Sequence, residues 1–154
     1  MMANESISLR KFEGKWHIIL SNFPMWLKGD KINPTFNYKI AERSGVIGLT
    51  DEVKYTQNDR IKTINGFDKP LNSENTSFEW RGNGLLSLLS SKWQVLYLDN
   101  TENWAIIYFE KTLFTPKGYD VICREKQPNS LIMRKIEETI RVLKIEEKLK
   151  KLSR

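Results

Sequence analysis

Up to about position 126 this 154-residue chain is a succession of short runs with strand chemistry, each closed by turn-forming residues, with no good helix among them. The runs fall at 14–22, 35–41, 48–56, 60–67, 76–81, 85–89, 92–98, 104–111 and 119–124. Between them stand Ser44-Gly45, Asn58-Asp59, Asp68-Lys69-Pro70, Gly82-Asn83-Gly84, Asp99-Asn100 and Pro116-Lys117-Gly118. These residues supply left-handed conformations, fixed φ angles and side-chain-to-backbone bonds that reverse the chain. Short strands at this spacing build an antiparallel sandwich or a closed barrel, and periodicity does not choose between the two. One segment breaks the pattern: Phe23-Pro24-Met25-Trp26-Leu27-Lys28-Gly29 reads as a long loop with one helical turn.

Two residues far apart in sequence favour the barrel. Trp16 lies in the first run and Arg124 closes the last, and an indole and a guanidinium stack well on one another. A sheet whose first and last strands meet is a barrel, and small barrels hold small molecules. After the last run, Pro128-Asn129-Ser130 offers a helix start, followed by Ile132, Ile136, Ile140 and Leu143 on one helical face. Arg134, Lys135, Glu137, Glu138 and Arg141 occupy the opposite face, so the helix is expected to dock outside the sheet. The adjacent apolar pairs Ile18-Ile19 and Val121-Ile122 give their strands two apolar faces suited to it.

With 40% hydrophobic residues the chain fits one domain, with a barrel at about 12–126 and a helical segment at about 129–152. No apolar stretch approaches the roughly 20 residues that span a bilayer, and the first residues lack a secretory profile, so a cytoplasmic location is expected. A single cysteine, Cys123, and a single histidine, His17, are too few for an internal disulfide or a Cys/His zinc site, and no metal is expected. The formal net charge of +6 is half accounted for by the last eleven residues, where five cations face two anions. A basic end of this kind reads as a solvated terminus rather than a nucleic-acid arm.

Three motifs then resemble those of the lipocalins. Gly14-Lys15-Trp16 resembles the Gly-x-Trp motif of the first strand, Asp99 the aspartate of the turn between the sixth and seventh strands, and Arg124 the arginine that ends the eighth. The stretch from Trp93 through Asp99 and Trp104 to Arg124 is most similar to the soluble bacterial and plant lipocalins. The second motif departs by reading Leu98-Asp99-Asn100, without the family's threonine, and the first loop is longer than in the smallest members. The resemblance implies an eight-stranded antiparallel up-and-down barrel with a C-terminal α-helix on its outside. It also implies non-catalytic binding or transport of a small hydrophobic or amphipathic ligand such as a fatty acid, with no cofactor.

On this frame Trp16 and Arg124 close the bottom of the barrel. The loop residues Phe23, Met25, Trp26 and Leu27 plug one end, gate a ligand or touch a membrane, since apolar loop residues must be buried or meet a partner. Phe36, Tyr38, Tyr55, Phe78, Trp80, Trp93, Tyr97, Trp104 and Tyr108 supply aromatic surface for the interior. The ligand is expected to touch Trp26, Phe36, Tyr38, Tyr55, Trp80, Arg81, Tyr97 and Tyr108, with Arg81 holding an anionic head such as a carboxylate. No Gly-rich phosphate loop, nucleophile elbow or paired-carboxylate motif is legible. Two alternatives stay open: a small lipocalin-like isomerase or hydrolase acting on an apolar substrate, which a His17 or Cys123 side chain inside the cavity would favour although alternation turns both away from it, and a nucleic-acid-binding barrel. Oligomeric state is not legible.

Overall fold

The computed structural model describes residues 6–152. The alternating segments form β1 (Gly14–Ser21), β2 (Ile32–Arg43), β3 (Val46–Gln57), β4 (Arg60–Pro70), β5 (Ser77–Gly82), β6 (Ser90–Leu98), β7 (Trp104–Phe109) and β8 (Gly118–Cys123). Each strand pairs antiparallel with the next, and β1 pairs with both β8 and β2, so the sheet closes on itself as an eight-stranded up-and-down barrel. Register at the closure sets Trp16 opposite Phe36 and Ile18 opposite Ile122.

Because the strands alternate in direction, the connections sort to two ends. The 3-10 turn Leu9–Phe12 and the turns after β2, β4 and β6 lie at one end. At the other lie the β1–β2 connection, which holds the one-turn helix α1 (Pro24–Leu27), and the connections after β3, β5 and β7. Helix α2 (Ser130–Val142) starts at Asn129, whose side chain caps the Ile132 amide. Its Ile132, Ile136, Ile140 and Leu143 pack with Ile19, Leu20, Trp104, Ile106, Val121 and Cys123 on the outer wall.

Two expectations need correction. The 85–89 run is not a strand but a 3-10 helix, Gly84–Leu88. Gly84 takes φ +56°, and a Cβ on Gly82 would sit 2.4 Å from that of Leu86, so the chain folds back too tightly to enter the sheet. The C-terminal helix stops at Val142 rather than running on towards 152, because Lys144 adopts a left-handed conformation (φ +57°). Beyond it the chain adds a short strand, β9 (Lys150–Lys151), against Leu20 and Ser21 of β1.

Candidate functional site

One end of the barrel is sealed. The Arg124 guanidinium lies 3.6 Å from the centre of the Trp16 ring and donates to the Lys15 and Lys11 carbonyls at 3.1 and 2.9 Å. Trp16 Nε1 donates to the Phe12 carbonyl at 2.9 Å. Gly14 is fitted to this stack: its φ is +98°, and a Cβ there would lie 3.2 Å from Arg124 Nη1. In the β6–β7 turn Asp99 accepts from the Thr101 amide and hydroxyl, and the Asn103 carbonyl accepts from the Arg124 amide at 2.8 Å. The three motif positions thus form one contiguous bottom.

Above it the lumen is packed. Phe12, Trp16, Leu49, Phe78, Val95, Leu98, Ala105, Ile107 and Ile122 have no accessible surface, so no water-sized gap touches them. Phe78, Trp93, Tyr38 and Phe36 stack in sequence, with ring centres 4.5, 5.9 and 5.8 Å apart. Towards the other end Val53, Tyr55, Trp80 and Phe109 face the lumen and are only partly buried. Phe23 and Trp26 fold inward over this half, Phe23 against Phe109 and Trp26 against Tyr55. Beside it, the connections after β5 and β7 bound a cleft of about 490 Å³ lined by Trp80, Leu88, Leu89, Lys92, Leu113 and Phe114.

Of the residues expected to touch a ligand, Trp26, Phe36, Tyr38, Tyr55 and Trp80 face the lumen. Arg81, Tyr97 and Tyr108 do not. Arg81 alternates with Trp80 and points outward, bonded to the Ser87 carbonyl at 3.0 Å and paired with Glu79. Tyr97 follows a bulge between Val95 and Tyr97 that reverses the alternation, so it stacks on Trp104 on the outer wall and Leu98 turns inward instead. Tyr108 lies between the inward Ile107 and Phe109 and meets Tyr119 outside. Trp104 also lies outside, among the residues under α2.

His17 and Cys123 are direct register partners on β1 and β8, and both lie outside the lumen. Burial pushes the Cys123 thiol up, while burial, then Lys15 and Lys126, hold the His17 imidazole down. Both shifts favour neutral forms, the opposite of an activated thiolate–imidazolium pair.

Besides the Ser21 hydroxyl and the Tyr38 phenol, the barrel encloses three acids. Asp51, Asp68 and Asp120 are at most 5% exposed and sit at inward positions of β3, β4 and β8. Asp68 accepts from Trp93 Nε1 at 2.9 Å and hydrogen-bonds with Asp51, so the barrel does contain a pair of carboxyl groups, brought together across β3 and β4 from positions 17 residues apart. Asp120 takes a hydrogen bond from the Ser21 hydroxyl, which itself accepts from the Phe23 amide at 3.0 Å. Burial raises Asp51 to about 6 and Asp120 to about 7. Asp68 is pushed well above the usual carboxylate range, first by burial and then by Asp51. The overlooked signal was parity: Asp51 sits between Leu49 and Val53 on the inward face, and Asp120 alternates with Ile122.

No protein-family model and no curated protein matches the sequence. Solved structures do match in shape. Insecticyanin from the tobacco hornworm Manduca sexta superposes with a TM-score of 0.73 at 12% identity, over 100% of this chain and 84% of that one. Lobster apocrustacyanin A1 gives 0.66 at 14% identity, over 94% of this chain and 78% of that one. The siderocalin Ex-FABP gives 0.66 at 14% identity, over 94% and 95%. Closed barrel, sealed bottom and outer helix therefore assign this chain the lipocalin fold.

Proposed function

We propose that the protein binds a small amphipathic molecule without transforming it, the apolar body entering the barrel from the end opposite Arg124. The observation that carries this reading is the asymmetry of the lumen. Its sealed half is filled by side chains, while in the other half Val53, Tyr55, Trp80 and Phe109 are only partly buried, Phe23 packing on Phe109, Trp26 on Tyr55, and Trp80 lining the 490 Å³ cleft. Partly exposed apolar walls beneath a short loop suit a guest whose affinity comes from area removed from water, at roughly 25 cal/mol per Å². The fold lends support, since the siderocalin Ex-FABP is described as functioning through dual ligand specificities. The test is titration with a neutral apolar fluorophore, N-phenyl-1-naphthylamine, followed by displacement with unlabelled aliphatic compounds. Saturable binding that Trp80→Ala or Phe109→Ala weakens is expected; non-saturable binding, or binding indifferent to both changes, refutes the reading.

A second observation favours contact between the same end and a lipid surface. It rests on other segments than the first loop, where Phe23 and Trp26 are buried and Met25 is 36% exposed. Leu85, Leu88, Leu113 and Phe114, 79–100% exposed, stand on the two connections that bound the 490 Å³ cleft, with Lys92 and Lys111 beside them. Apolar tips flanked by lysines match the interface of an anionic bilayer. Flotation with vesicles containing phosphatidylglycerol is expected to carry the protein, and Leu85→Asp with Leu113→Asp to release it. Equal recovery of wild type and variant excludes this contact.

A further inference from the structure

We infer that the polar end of the bound molecule is a small organic cation, an amine or guanidinium rather than a carboxylate. This rests on the binding proposed above and specifies its chemistry. Three carboxyl groups, Asp51, Asp68 and Asp120, enter one barrel from different strands, and among the described residues none has an ion-pair partner. Asp51 and Asp68 meet across β3 and β4, Asp120 faces the lumen from β8, and Tyr38 lies within electrostatic reach of all three.

Their donors are few. Trp93 Nε1 serves Asp68, the Ser21 hydroxyl serves Asp120, and Asp51 and Asp68 serve each other. The buried atoms Asp51 Oδ1, Asp68 Oδ2 and Asp120 Oδ1 receive no hydrogen bond from any amide, hydroxyl, indole or cationic side chain. A carboxylate accepts up to about four hydrogen bonds, and a buried acceptor left short of donors is costly. Once the pH rises through the range in which these acids ionise, the lumen holds acceptors and negative charge that no cationic side chain of the protein complements. A ligand bringing N–H donors and positive charge does.

The walls are rings, Phe36, Tyr38, Trp93 and Phe109 packed on one another, and none carries a cation with which an anionic head could pair. A bare metal ion fits less well, because among the described residues no three acidic, histidine or cysteine side chains are grouped to hold one. The single cation offered for an anionic head, Arg81, points away from the lumen.

The experiment displaces N-phenyl-1-naphthylamine with octylamine, octanol and octanoate, which share one chain and differ in head charge. At about pH 8 octylammonium is expected to displace the probe at a concentration at least about tenfold lower than octanol, with octanoate weakest. Its advantage shrinks towards about pH 5, where the acids bind protons, while octanol is unaffected. Asp120→Asn and Asp51→Asn each reduce the preference and leave octanol displacement in place. The wild-type pH series stands alone if either variant fails to fold. Equal displacement by octylamine and octanol, or preference for octanoate, overturns the cation assignment and leaves the carrier function standing. Failure of the probe and all three compounds to bind overturns both.

Discussion

Arg124 does two jobs with one guanidinium: it covers the Trp16 indole and fills two backbone carbonyls that the first turn leaves at the barrel's end. Hydrogen bonds to a charged donor contribute about 1.5–3 kcal/mol each and a cation–π contact about 0.5–2, partly offset here by solvent at the half-exposed group. Arg124→Ala is therefore expected to lower stability by about 2–4 kcal/mol, read as a depressed melting temperature, and to leave probe binding at the other end intact. An unchanged melting temperature removes the structural role. The interior acids make a prediction of opposite character. Between the ordinary value of 3.8 and about 7, Asp120 is protonated in the fold and ionised in the unfolded chain. Asp51 behaves likewise between 3.8 and about 6. Folding then takes up protons, so stability is greatest below the unfolded pKa and is lost as pH rises through this window. Thermal melts without ligand are expected to peak several degrees higher at about pH 5 than at about pH 8, and Asp120→Asn to flatten the difference. A melting temperature that rises over this range contradicts the burial of these acids. At this scale the sequence was legible where a residue's role follows from its type, as for Trp16 and Arg124. It was illegible where the role follows from a neighbour on another strand: Asp51 and Asp68 look like ordinary polar positions until β3 and β4 pair.

Strands were the easiest elements to read and their faces the hardest. Alternation locates β2, β3 and β7 because their sides differ in polarity, but parity carries across a strand only when the ladder is regular. Bulges at Ile18/Leu20 and Val95/Tyr97 each shift the alternation, and nothing in these residue types announces them. Regular alternation from Val95 points Tyr97 inward, and the bulge instead turns Leu98 to the lumen. The 85–89 segment fails for another reason: a run of leucines satisfies strand propensity, yet two of its side chains are almost wholly in solvent. The loop over the open half is likewise governed by contacts remote in sequence. Gly118 on β8 lies so close to Phe23 that a Cβ would approach the ring to 2.6 Å, and the neighbouring Tyr119 amide donates to Asn22 Oδ1 at 2.8 Å. Gly118→Ala is expected to push Phe23 out of the lumen, destabilising the protein by about 1–3 kcal/mol through the overpacked contact. It should also raise the affinity for an apolar probe by uncovering Phe109. Tighter probe binding at lower stability identifies the loop as a cover; weaker binding shows instead that Phe23 is part of the binding wall.

Closure of the whole barrel depends on how β1 divides its edge. Its first half, Gly14 to His17, pairs with β2, but Asn33 takes φ +53° and Pro34 has no N–H to donate, so the start of β2 leaves the ladder. Leu20 and Ser21 would then present unpaired backbone groups on that side, and β9 takes them, with Lys151 opposite Leu20, Lys150 opposite Ser21 and the Leu152 amide reaching the Ile19 carbonyl at 3.4 Å. This gives part of the basic C-terminal end, read from sequence as a solvated terminus, a structural role. A short edge strand made of lysines satisfies β1 while its charge discourages another chain from adding to it. Removing the residues from Lys150 onward leaves α2 in place and exposes the upper edge of β1. The truncated protein is expected to melt a few degrees lower and to self-associate with rising concentration in sedimentation velocity, whereas the full chain shows no such rise. Adding a charge at the exposed edge, Ser21 excepted because it holds Asp120, should suppress the association without restoring the melting temperature. If the truncated chain sediments and melts like the intact one, the gap between β1 and β2 is closed by side chains alone.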